Sequence, residues 1–195
     1  LFYLKDYQKG IDEYRKFIKD YPEDDRCVTA QYYIAYYGYH TYLKDYPKAI
    51  AEYEKFLKDY PKDDRCPGLL GSIVGLYMNL KDYPKAIETY RRLLAQYPKS
   101  DTCVSAQAAI ASIYQAQLKE YAKAIAEYET LIKKYPWYDG NALAFRSMGD
   151  CYLEMKDKDK AAGAFKQVLT QYPYSPEAAT AEKSLAALTP PAKAK

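Results

Sequence analysis

One histidine (His40), one tryptophan and four cysteines in 195 residues leave little from which to build a metal centre or a histidine-based catalyst. The chain has no Ser/His/Asp set, no glycine-rich phosphate loop, no H-E-x-x-H, no C-x-x-C and no haem-attachment motif. It has no run of about 18 apolar residues, which excludes a membrane-spanning helix. Charge of one sign is also scarce: 29 basic against 26 acidic residues leave +3, too small a footprint for nucleic acid. The acidic pairs Asp24-Asp25 and Asp63-Asp64 stand where helices begin, and capping accounts for them. Neither an enzyme nor a cofactor is expected. What the chain has in excess is tyrosine, 25 residues against 5 phenylalanines.

That excess is repeated. The phrase Leu-Lys-Asp/Glu-Tyr-x-Lys-x-Ile begins at Leu4, Leu43, Leu80 and Leu118, with a worn copy at Met155, so that successive copies lie 39, 37, 38 and 37 residues apart. A Tyr-Pro pair ending at Pro22, Pro61, Pro98, Pro136 and Pro173 keeps the same beat. Two markers in step with a period in this range indicate a solenoid whose units cannot bury their apolar faces alone. Ala49, Ile50, Tyr53, Phe56 and Leu57 trace one apolar helix face. Pro47 falls in the first turn of that helix, and Tyr60-Pro61 stops it. The same grammar predicts helices near 7–21, 28–42, 46–60, 66–79, 83–97, 103–117, 121–135, 141–154, 158–172 and 176–188. No alternating run between hairpin turns appears, so the class is all-α.

These units resemble the tetratricopeptide repeat (TPR). From Ala142 to Pro173 the match is clearest: Phe145, Met148-Gly149, Tyr152, Ala161, Phe165, Val168 and Pro173 fall at the pattern's positions. Ala111, Tyr114, Ala124, Tyr128 and Pro136 continue it, as do Ala86, Tyr90 and Pro98, and Ala49, Tyr53 and Pro61. The period exceeds the family's 34, and Leu-Lys-Asp replaces a Gly-Asp turn. The long period and the Tyr-Pro phrase are similar to bacterial cell-envelope members, including Tol–Pal-associated and outer-membrane-assembly types. The resemblance implies a right-handed α-solenoid over residues 1–188, with an orphan helix 7–21, repeats at about 28–61, 66–98, 103–136 and 141–173, and a capping helix 176–188. Residues 189–195 read as a Pro/Ala/Lys tail. It further implies a protein or peptide partner held in a concave groove lined by first helices, and a periplasmic, envelope or extracellular setting.

On those first helices Tyr32, Tyr36 and Tyr39 share one face and Tyr33, Tyr37 and His40 another; one packs and the other projects. Tyr32, Tyr36 and Tyr39 are expected to line the groove, the alternative being that these tyrosines pack between repeats. Gly68, Gly71 and Gly75 form either a shallow channel or a close helix contact, at about 1 kcal/mol each against alanine. Ser105 and Ser112 fall at groove positions, and Arg146 with Asp150 is either a groove pair or a plain i,i+4 ion pair. The Lys/Asn/Arg clamp of chaperone-adaptor TPRs has no counterpart here. Cys27, Cys66 and Cys103 occupy equivalent positions about 10 Å apart, too far for internal disulfides, which leaves burial or bridges between subunits. Cys151 reads as core. An orphan first helix would leave Ile11, Tyr14, Phe17 and Ile18 short of cover. Three readings follow: the array continues upstream, is capped by residues 1–5, or stacks end to end with another copy into a homopolymer or filament.

Overall fold

The computed structural model describes residues 6–188, which hold ten helices and no strand. The expected tail 189–195 and the expected cap 1–5 lie outside the described residues. Contacts divide the chain into two units, at Leu93/Leu94. In the first, α1 (Tyr7–Asp20), α2 (Arg26–Tyr33, running on as a π-helix to Tyr42), α3 (Tyr46–Asp59) and α4 (Cys66–Asn79) precede most of α5 (Tyr83–Gln96). In the second, α6 (Thr102–Ile113, with a π-helical end at Tyr114–Leu118) is followed by α7 (Tyr121–Lys134), α8 (Asn141–Glu154), α9 (Lys158–Gln171) and α10 (Pro176–Leu188). Every helix begins and ends within two residues of the expected place.

The repeated phrases are two turn devices. Within Leu-Lys-Asp-Tyr-x-Lys the first lysine takes a left-handed backbone, with φ of 53°, 57°, 54° and 62° at Lys44, Lys81, Lys119 and Lys156. The next residue turns its N–H back to a tyrosine carbonyl at the end of the preceding helix: Asp45 to Tyr39, Asp82 to Tyr77, Glu120 to Tyr114 and Asp157 to Tyr152. Asp45, Asp82 and Asp157 then cap the following helix through the amides of Lys48, Lys85 and Lys160. Those three lysines and Lys123 pair with the turn acid and lie 5.5–5.7 Å from the centroid of the same tyrosine ring. One phrase thus ties together the end of one helix and the start of the next.

At the first four Tyr-Pro turns the tyrosine carbonyl is closed by a buried side chain six residues on. Cys27 donates to Tyr21 at 3.0 Å, Cys66 to Tyr60 at 3.2 Å and Cys103 to Tyr97 at 3.1 Å, and Asn141 does the same for Tyr135 at 2.8 Å. All four cysteines are buried, which favours the packing reading over bridges between subunits.

The uneven period has a single location. From each repeat phrase to the cysteine or its equivalent the count is always 23 residues; from there to the next phrase it is 16, 14, 15 and 14. The two surplus stretches are those that end in π-helix. There the closing bond to the tyrosine carbonyl spans six residues (Asp45 to Tyr39, Glu120 to Tyr114), against five in the shorter repeats (Asp82 to Tyr77, Asp157 to Tyr152). Extra residues are absorbed as wider helical turns.

Packing follows the repeat. Arg15 on α1 meets Glu52 on α3 at 2.6 Å, and Arg92 on α5 holds Glu54 on α3 with two bonds of 2.6 and 3.0 Å. In the second unit Ala161, Phe165 and Val168 of α9 form a core with Ala181 of α10, against which Phe145, Tyr152 and Leu185 pack. Gly149 lies against Phe165, whose burial contributes roughly 1.5–3 kcal/mol; a Cβ there would stand 2.4 Å from the ring.

Candidate partner-binding site

In the first unit the π-helical segment changes which tyrosines project. One surplus residue lies before Tyr39, so a count in threes and fours no longer keeps it beside Tyr36. Tyr39 is 3% exposed and belongs to the core, against the sequence expectation. Tyr32 and Tyr36 remain half-exposed, with rings stacked 5.4 Å apart at 9°. The Arg65 guanidinium lies 5.3 Å from the Tyr32 ring, and Tyr36 meets His40 edge-on. His40 in turn shares a 2.9 Å hydrogen bond with the buried Tyr53 hydroxyl, and burial lowers the imidazole pKa.

Gly68, Gly71 and Gly75 are exposed along α4, and a Cβ at any of them would meet nothing within 4 Å. Close helix packing is therefore not what these glycines serve; they leave open backbone.

In the second unit a cavity of about 520 Å³ lies between α6 and α8. Ser112 and Arg146 both line it, with Ala108, Ala109 and Leu143 supplying apolar surface. Arg146 donates to Asp150 at 2.8 Å, so the ion-pair reading and the cavity reading hold together. Burial raises the Asp150 pKa against the pull of Arg146. Ser105 is not in this cavity; it lines a different one, at the Tyr-Pro turns. Sequence reasoning missed Leu143 and the turn residues Trp137 and Tyr138. The one signal for the last two was an aromatic pair where the other copies of the phrase carry charged or hydroxyl side chains.

Of the four residues expected to stack end to end, one is buried and three are partly exposed within the first unit. Ile11 is fully buried, with its side chain where a Cβ of Gly38 would be. Tyr14 packs edge-on to Tyr33 at 5.8 Å, Phe17 lies under Arg26 at 5.2 Å, and Ile18 faces a small cavity shared with Gln31 and Glu52. Among the described residues no group of three or more His, Cys, Asp or Glu could hold a metal ion, and no helix is long and apolar enough to cross a membrane.

No curated protein matches the sequence. Among solved structures the chain is similar to a tetratricopeptide repeat protein from Parabacteroides merdae, at a TM-score of 0.56 and 17% identity over 93% of this chain and 59% of that one. The chain thus spans about three fifths of that relative's length. BtubC from P. vanneervenii gives 0.56 and 19% over 93% and 80% of the two chains. YrrB, described as a TPR protein with an unusual peptide-binding site, gives 0.55 and 18% over 94% and 87%. At these identities the likeness shows the fold. The family model for the tetratricopeptide repeat matches residues 1–64 and 105–176, and a second one matches 75–100. With the paired helices and both turn devices in place across those spans, the chain belongs to the tetratricopeptide repeat family.

Proposed function

We propose that this protein is a non-catalytic interaction scaffold that holds a protein or peptide partner on the faces of its first helices. The cavity between α6 and α8 carries the reading. Ser112 and Arg146, singled out by position alone, converge there on one apolar-floored space of about 520 Å³, the size of an ordinary ligand pocket. In the first unit, stacked Tyr32 and Tyr36 offer large contact area at small entropic cost, and Gly68, Gly71 and Gly75 leave backbone that a partner can approach. The long period and the Tyr-Pro phrase support a bacterial envelope setting, which fractionation of the native cells tests.

Ala109→Trp fills the α6/α8 cavity from a half-exposed position. Its melting temperature should stay near that of the parent while proteins captured from a lysate of the native cells are lost. Capture of the same proteins by the variant overturns the reading. End-to-end assembly has less support: Ile11 is buried, and Tyr14 and Phe17 already pack against Tyr33 and Arg26. Light scattering of the purified chain should give a monomer, and polymer above a threshold concentration would reinstate assembly.

A further inference from the structure

The five Tyr-Pro turns are copies of one structure, so each is a control for the others. At the second and fourth residues after the proline, the first three copies place a matched polar pair. Asp24 pairs with Arg26 at 2.7 Å, Asp63 with Arg65 at 2.7 Å, and Ser100 with Thr102 at 2.8 Å. The fourth copy replaces the pair with a ring on a glycine. A Cβ at Gly140 would stand 2.3 Å from Tyr138, so the ring lies where any other residue would put its side chain.

The residue after the proline, Glu23, Lys62 and Lys99 in the first three copies and the exposed Tyr174 in the fifth, is here Trp137, 70% exposed. Asn141 replaces the cysteine, and its Oδ1 is buried without a partner, as is the Tyr135 hydroxyl. This turn lacks the side-chain pair of the first three copies and the bond that pair makes to a backbone amide, and it exposes the chain's one tryptophan. Departures of this kind gather at functional sites.

The turn faces a cavity of about 550 Å³, lined by Pro98, Lys99, Asp101, Tyr135, Trp137 and Tyr138. Its one base and one acid balance. The equivalent cavity of the first unit, about 530 Å³, is instead lined by Glu23, Asp24, Asp25, Asp59 and Asp63 with Lys62. The repeat architecture therefore supplies the space and does not dictate an aromatic lining. The Tyr135 and Trp137 rings meet at 81° with centroids 6.0 Å apart. They form a corner rather than the flat platform on which a sugar ring stacks. A pyrrolidine ring fits such a corner, a polyproline II segment has little entropy left to lose, and indole N–H donates to a peptide carbonyl.

We infer that the Trp137 turn is a second docking site, for an extended, uncharged, proline-containing segment of a partner protein. It shares the Tyr138 wall with the α6/α8 cavity and does not depend on that cavity being occupied.

Because Trp137 is the sole tryptophan, emission excited at the red edge, where the tyrosines do not absorb, reports this site alone. A polyproline oligomer should shift the emission to shorter wavelength and saturate. By calorimetry, Trp137→Ala should weaken that binding about tenfold or more with no change in melting temperature. Ala109→Trp, which blocks the other cavity, should leave it intact. Unchanged emission with polyproline, equal affinity in Trp137→Ala, a shift produced by a glucan oligosaccharide instead, or loss of polyproline binding in Ala109→Trp each overturns the inference.

Discussion

The Tyr53 hydroxyl lies 2.9 Å from Nδ1 of His40, and two repeats further on the Tyr128 hydroxyl meets Gln115 Oε1 at 2.8 Å in the same place. The protein's only histidine therefore satisfies a buried phenol, a task its counterpart performs with an amide. His40→Gln should fold with a melting temperature close to the parent's near neutral pH.

The same pair sets a pH dependence. Burial depresses the folded-state pKa of His40 below its ordinary value of about 6.5. Between those two values the unfolded chain binds a proton that the native protein does not. The contribution is fully present above the unfolded value and is lost as pH falls through the depressed one. Urea denaturation between about pH 7.5 and 5 should show the parent losing stability and His40→Gln losing less. Equal slopes for the two proteins would remove His40 from the account.

Glycine to alanine should act in opposite directions at two sites. At Gly149 the added methyl meets Phe165, and overpacking should cost about 1–3 kcal/mol, with Gly149→Leu worse. At Gly68 nothing lies within 4 Å, and better helix propensity should stabilise by up to about 1 kcal/mol. Thermal melts of the two variants check both signs.

The left-handed lysines predict a gain. Lys119 is exposed with φ of 54°, a conformation in which Cβ crowds the carbonyl. Lys119→Gly should raise stability by about 0.5–1 kcal/mol, the relief of that crowding less glycine's greater unfolded freedom. Lys81→Gly should do likewise. Lowered denaturation midpoints in both would show that the lysine side chains contribute more than the backbone strain costs.

The helices were legible because their signals are local: Ala49, Ile50, Tyr53, Phe56 and Leu57 keep one spacing, all five are buried, and Tyr60-Pro61 marks the stop. Tyr39 was misplaced because the face count assumes an unbroken α-helix, and no residue between Ile34 and Tyr42 announces the wider turn. Gly68, Gly71 and Gly75 could not be assigned from sequence, since a tight contact and an open surface ask for the same missing side chain. Ser112 and Arg146 share a cavity because both positions recur on first helices. Trp137 follows no periodic rule, and its setting shows only when the folded copies of its turn are laid beside one another.

The constant count of 23 residues through each second helix, beside 14 to 16 through each first, separates two kinds of freedom. The second helices and their turns keep the stacking in phase, so a single deletion there would dislodge the tyrosine–lysine latch from the thiol that seals the next turn. The ends of the first helices work as slack in the chain. Insertions at Ile34–Tyr42 or Tyr114–Leu118 alter what those helices present outward while the joints on either side stay shut. Such an array can vary its displayed surface one residue at a time without rebuilding its frame.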